Sequence, residues 1–120
     1  MARRRQPRRP HWADAPPDRR RAARPPRLHE HLRVPDLSVG TYVLAVGDVD
    51  GQQPHTEDEV YVVLRGRARL WTPDLTVDVG PGAVAFVPAL EPHRFVDITE
   101  DLHVLVVFGP AEHSNAGAAT

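Results

Sequence analysis

From Leu28 onward, apolar residues gather in short runs rather than at a helical period. Ser38–Val46, Val60–Leu64, Ala68–Trp71, Leu75–Val79, Ala83–Val87, His93–Ile98 and Leu102–Phe108 are rich in β-branched or aromatic residues. Between them lie Gly47 to Gly51 with its acids, Arg65-Gly66, Thr72-Pro73-Asp74, Gly80-Pro81-Gly82, Pro88 through Pro92, and Thr99-Glu100-Asp101. Short strands punctuated in this way predict an all-β sandwich or barrel. Only Leu28–Leu32 offers a turn of helix. Val60–Leu64 is apolar at every position, so one face lines an interior and the other needs a second sheet or a partner chain. A small barrel that hides its edges as a homodimer is the expected solution.

The first 27 residues break this pattern. They hold ten arginines against Asp14 and Asp18, a charge of +8, and six of the thirteen prolines. Residues 28–120 hold five arginines against fourteen acids, or −9, and the two parts give the −1 of the whole chain. Proline blocks a continuous helix, and Trp12 alone supplies little apolar surface to offset the entropy of ordering. We therefore expect residues 1–27 to be a disordered Arg/Pro-rich leader, 28–110 to be the barrel domain, and 111–120 to be a flexible tail. An arginine-rich arm is attracted to nucleic acid, but the bias of the chain toward arginine, alanine and proline makes an unstructured extension the simpler reading. No apolar run approaches the ~18 residues of a membrane span, and the arginine pairs precede no signal-type hydrophobic segment. These features predict a cytoplasmic protein with no membrane partner.

The absence of cysteine excludes disulfides, thiolate metal sites and a cysteine nucleophile. The absence of lysine excludes Schiff-base chemistry and a P-loop. Ser38 and Ser114 are the only serines, and neither lies in a nucleophile elbow. Gly80-Pro81-Gly82 lacks the third glycine and helix of a dinucleotide loop. His29-Glu30-His31 has no downstream partner at ligand spacing and reads as a surface turn. Arg65, Arg67 and Arg69 alternate along one strand face, which reads as a solvated exterior. His103 faces either the pocket or a dimer contact.

One constellation remains. In an extended Gln53–Gly66, alternation places Gln53, His55 and Glu59 on one face, with Glu57 at the same parity. Imidazole with carboxylate suits first-row metals such as Fe, Mn, Ni or Zn. His93, after a proline-punctuated turn, reaches across the interior toward His55. The order His55–Glu59–Gly66 resembles the first motif of the cupin superfamily, and Gly82–Pro88–His93 resembles the second. The strand pattern extends the likeness over about Asp36–Phe108. Three positions depart from it: Gln53 stands where histidine is usual, Leu90 where glycine follows the motif's proline, and Asp97 where asparagine is common.

The resemblance implies a cupin-type jelly-roll β-barrel holding a divalent metal through His55, Glu59 and His93. Gln53 is then a weak fourth ligand or a hydrogen-bond donor beside the set. Two histidines and one carboxylate with open positions are associated with non-haem Fe(II) oxygenases. Glu57 is a candidate general base, with Tyr61, Val63, Phe86, Phe95 and Asp97 as pocket walls. The expectation is a metal-dependent enzyme of dioxygenase or isomerase type acting on a small polar metabolite. The alternative is a non-catalytic sensor or binding module for a sugar or organic acid.

Overall fold

A computed structural model describes residues 28–116. Six strands form one antiparallel sheet: β1 (Leu28–Val34), β2 (Leu37–Leu44), β3 (Asp58–Trp71), β4 (Thr76–Val79), β5 (Val84–Val87) and β6 (Arg94–Gly109). The order is β1-β2-β6-β3-β4, and β5 adds to the free side of β3. The long strands β3 and β6 pair along their length and curl the sheet on itself. The half of β3 from Asp58 faces β5, whereas Ala68–Trp71 pairs with β4. This bending of shared strands between two layers makes the jelly-roll barrel.

The two long strands are where the sequence pattern misleads. Arg65-Gly66 and Thr99–Asp101 read as breaks, yet both lie inside continuous strands, where the β3–β6 register shifts between Val63 and Arg69. These irregularities are β-bulges, which bend a strand without ending it. Gly66 is required at its bulge. It has φ +94°, and a Cβ there would stand 2.1 Å from the Asp101 carbonyl oxygen. Leu28–Leu32 is an edge strand rather than a helical turn, exposed at nearly every position, so it shows no buried face that would mark it as β.

Alternation holds well within the ladder. Tyr61, Val63, Leu102, Val104, Val106 and Phe108 point inward and are at most 2% exposed. On the outer face, Val39, Val107, Val60 and Phe86 align across four strands, followed by Leu105, Val62 and Val84. Phe86, expected as pocket wall, is on this outer face and 63% exposed, because β5 presents Val87 and Ala85 inward instead. Asp97 is also exposed. It turns outward at φ +50°, a left-handed conformation that Asp and Asn tolerate better than most residues.

Residues 45–57 cross one end of the barrel without entering a strand. A buried carboxylate anchors the middle of this loop. Asp50 accepts from the Tyr42 hydroxyl (2.8 Å), the Phe95 amide (2.8 Å) and the Gln52 side-chain amide (2.9 Å). It thereby ties the loop to β2 and β6. Burial and the adjacent Asp50 carboxylate push the Tyr42 phenol far above its ordinary range, so it remains a donor. The expected tail also starts inside the fold: Ala111 is 1% exposed and opens a turn running through Asn115. The leader, residues 1–27, lies outside the described residues. Among the described residues no helix is long and apolar enough to cross a membrane.

Candidate metal centre

The three strongest sequence candidates converge. One ligand atom from each of His55, Glu59 and His93 lies within 4.8 Å of the others. Each arrives from a different local structure. His55 ends the crossing loop, and its carbonyl accepts from the Leu90 amide at 2.7 Å, which joins it to the turn preceding His93. Glu59 points inward near the start of β3, opposite Phe108 on one neighbour and Val87 on the other. His93 precedes β6.

Leu90 takes φ +68° in that turn. This is the left-handed region that glycine enters freely, which explains why glycine suits the position in the resembling motif. Ala89 also donates to Asp58 Oδ1 at 2.8 Å, so the segments bearing His55, Glu59 and His93 are bonded to one another.

The tautomer of His93 is set by its surroundings. Its Nδ1 is 2.9 Å from the Glu91 carbonyl, which can only accept, so Nδ1 carries the proton. Nε2 then faces the site, 2.9 Å from the Tyr61 hydroxyl and 2.7 Å from Glu59 Oε1. Burial opposes charging of this ring, but the Glu59 carboxylate and the Glu91 carbonyl outweigh it and raise the His93 pKa. Burial together with the Glu59 and Asp50 carboxylates holds the Tyr61 phenol well above its ordinary value.

Glu59 is the most informative group. It is 1% exposed, with Oε1 2.7 Å from His93 Nε2, and apart from that contact neither oxygen has a hydrogen-bond partner. A carboxylate buried without donors is costly, and buried charges are ordinarily paired, hydrogen-bonded or metal-bound. A divalent cation between Glu59, His55 and His93 would satisfy the carboxylate and take the Nε2 lone pair of His93 in place of the Tyr61 hydroxyl. The donor set therefore fits a metal.

The side-chain oxygen that stands beside the cluster comes from a neighbour of the residue expected there. Gln53 is exposed, because the chain before Asp58 is loop and strand alternation does not apply there. Gln52 turns inward instead. Its Nε2 donates to Asp50, which directs Oε1 into the site, 3.1 Å from His55 Nε2 and 3.4 Å from the Tyr61 hydroxyl.

Glu57 shares no surface with this cluster. Its carboxylate is buried but accepts from the Thr56 hydroxyl, the His113 amide (2.6 Å) and the Asn115 amide (3.0 Å). Those bonds fasten the C-terminal turn and leave it no role as a base at the metal. Val63 and Phe95 are buried in the core, whereas Tyr61 reaches the site with its hydroxyl. His103 sits at the outward parity of β6, away from the ligands.

A cavity of about 300 Å³ opens beside His55. Its lining includes Tyr42, Gln52, Tyr61, Val106, Phe108 and Glu112. Glu112, absent from the sequence-derived site, is carried in by the C-terminal turn, with Oε2 3.7 Å from His55 Nδ1. Only the acidity of the residue marked it in sequence.

Residues 40–108 match the family model of the cupin domain. An uncharacterized protein of Streptomyces coelicolor is 47% identical over 92 residues, which cover 77% of this chain and 88% of that protein. Among solved structures, an RmlC-like cupin with a double-stranded β-helix fold from Methanocaldococcus jannaschii aligns with TM-score 0.63 and 16% identity, over 71% of this chain and 80% of its own. The DMSP lyase DddQ of Ruegeria pomeroyi aligns with TM-score 0.60 and 22% identity, over 63% of this chain and 39% of its own. At such identities the two structures speak for the fold alone. With the family match spanning both histidine motifs, the chain belongs to the cupin family.

Proposed function

We propose that this cupin is a metal-dependent enzyme that transforms a small organic molecule at a divalent ion held by His55, Glu59 and His93. The observation that carries the reading is the Glu59 carboxylate, fully buried with no partner but the His93 imidazole and clustered with a second imidazole at His55. Gln52 Oε1 supplies a neutral oxygen as fourth ligand, weaker than the histidine usual at the neighbouring Gln53 position of the motif. A labile fourth position favours substrate entry, and the two-histidine, one-carboxylate set suits iron and manganese as well as zinc or nickel. When bound, the metal supplies Lewis acidity or an electron, as an oxygenase or an isomerase of this type requires.

The protein groups have separable tasks. Glu91 fixes the ring of His93, Asp50 aims Gln52, and Tyr61 holds a phenolic proton beside the ligands. Phe108 stacks edge-on against His55 (centroids 4.7 Å) and excludes water on that side. The described cavity walls are mainly apolar and include no arginine, which favours a substrate with a compact apolar body over a sugar or an organic acid.

Metal analysis of protein purified without chelator, beside His55→Ala and His93→Ala, tests the site. Wild type is expected to retain metal and both variants to lose it. Equal, negligible metal in all three contradicts the reading. Oxygen uptake by the Fe(II)-loaded protein across a metabolite panel then separates oxidation from isomerisation.

The outer sheet face supports a homodimer. Val84 and Phe86 are 69% and 63% exposed in the single chain, beside further valines of the same face. Phe86→Asp should convert the dimer to monomer in light scattering. A wild-type monomer would contradict this.

A further inference from the structure

The cavity beside His55 has a charge character that the metal site does not explain. Among its described lining residues, Glu112 is the one acidic side chain, and none is arginine. Its side chain is only 13% exposed. Oε2 lies 3.7 Å from His55 Nδ1, and Oε1 lies 3.7 Å from Nε2 of His113, whose side chain is 70% exposed. Neither distance is a hydrogen bond, so both oxygens remain available to a ligand.

The position of Glu112 is set by its backbone. Its amide donates to Ser38 Oγ (2.8 Å), and its carbonyl accepts from Arg33 Nη2 (2.6 Å). The next residues are gripped by the buried Glu57 carboxylate through the His113 and Asn115 amides. The chain thus places residue 112 with main-chain bonds and leaves its carboxylate for the cavity. This device lies beyond residues 40–108, the span that matches the family.

We propose that Glu112 determines specificity by reading a cationic nitrogen on the ligand. The occupant is a compact molecule with an apolar body against Tyr42, Val106 and Phe108 and a protonated amine at Glu112. This rests on the functional reading above only for the chemistry, since recognition itself needs no metal. His55 turns its Nε2 edge toward Gln52 and its Nδ1 edge toward Glu112. The His55 ring therefore stands between an amine at Glu112 and the Gln52 side of the metal site, which limits repulsion between two cations. A charged hydrogen bond formed in a largely desolvated cavity is stronger than a neutral one, so amines are preferred over isosteric alcohols and acids.

The test uses full-length protein as purified and again after chelation, titrated with benzylamine, benzyl alcohol and benzoate by calorimetry. Wild type should bind benzylammonium at least about tenfold more tightly than benzoate, a factor within reach of one charge-assisted hydrogen bond. Glu112→Gln should abolish the preference while metal content and melting temperature stay at wild-type values, because the backbone bonds of the turn remain. Benzoate binding as well as the amine overturns the proposal, as does a preference that survives Glu112→Gln or no measurable amine binding. Loss of metal in Glu112→Gln also overturns it, because Glu112 would then act on His55 instead. Failure of the metal reading alone leaves the preference intact in chelated protein, so the two failures are distinguishable.

Discussion

Glu57 and Glu59 stand two positions apart in sequence, are each 1% exposed, and have opposite surroundings. Glu57 accepts from one hydroxyl and two backbone amides, and it ties the C-terminal turn to the barrel. Glu59 has no amide or hydroxyl bond of that kind and meets only the His93 imidazole, with His55 beside it. Burial is therefore a poor guide to what a carboxylate does. The donors around it decide: satisfied oxygens belong to the fold, and unsatisfied ones await a ligand.

The largest effect that sharpens this contrast is on the structural side. Glu57→Gln replaces two backbone-to-carboxylate bonds with at most one good acceptor and places an amide donor against other donors. It should lower unfolding stability by about 2–3 kcal/mol, as expected for buried bonds to a charged acceptor. Chemical denaturation measures this, and a loss near zero would break the comparison.

The same carboxylate makes acid sensitivity local. Desolvation alone would raise the Glu57 pKa, but the Thr56 hydroxyl and the Asn115 and His113 amides outweigh it and hold it below the ordinary value. A group whose folded pKa is depressed stabilises the fold above its unfolded pKa, and that contribution disappears as pH falls through the lower, folded value. Amide exchange at His113 and Asn115 should therefore accelerate below the ordinary carboxylate range, ahead of exchange in β3 and β6. Equal acceleration in Glu57→Gln would assign the effect to another group.

A smaller effect probes the turn that aligns the ligands. Leu90 is 66% exposed at φ +68°, so glycine there removes strain at the cost of some unfolded-state entropy. Leu90→Gly should raise stability by up to about 1 kcal/mol with metal content unchanged. Destabilisation in thermal melts would show that the leucine side chain supports the turn.

The His55–Glu59–His93 cluster was legible in sequence because the three residues sit in two ordered motifs, whose glycines and proline mark a bulge and turns. The buried residues of β3 and β6 were equally legible, since alternation follows from the ladder itself. Alternation fails where the ladder ends. Residues 45–57 form a loop, so Gln52 occupies the place assigned to Gln53, and Glu57 turns away from Glu59. Asp50 read as a turn acid, yet it holds that loop through Tyr42 and Phe95, partners far apart in sequence. Glu112 was invisible for a related reason: it reaches the cavity only because Ser38, Arg33 and Glu57 fold the turn back. Arg65-Gly66 and Thr99–Asp101 read as breaks because a bulge and a turn use similar residues.

The most direct test compares the two glutamates in one experiment. Glu57→Gln and Glu59→Gln are purified in parallel with wild type, without chelator, and their metal is measured by mass spectrometry. Wild type and Glu57→Gln should hold metal in equal proportion to protein, and Glu59→Gln should hold almost none. Metal retained by Glu59→Gln at the wild-type level, or lost as completely from Glu57→Gln, would contradict the division of roles between them.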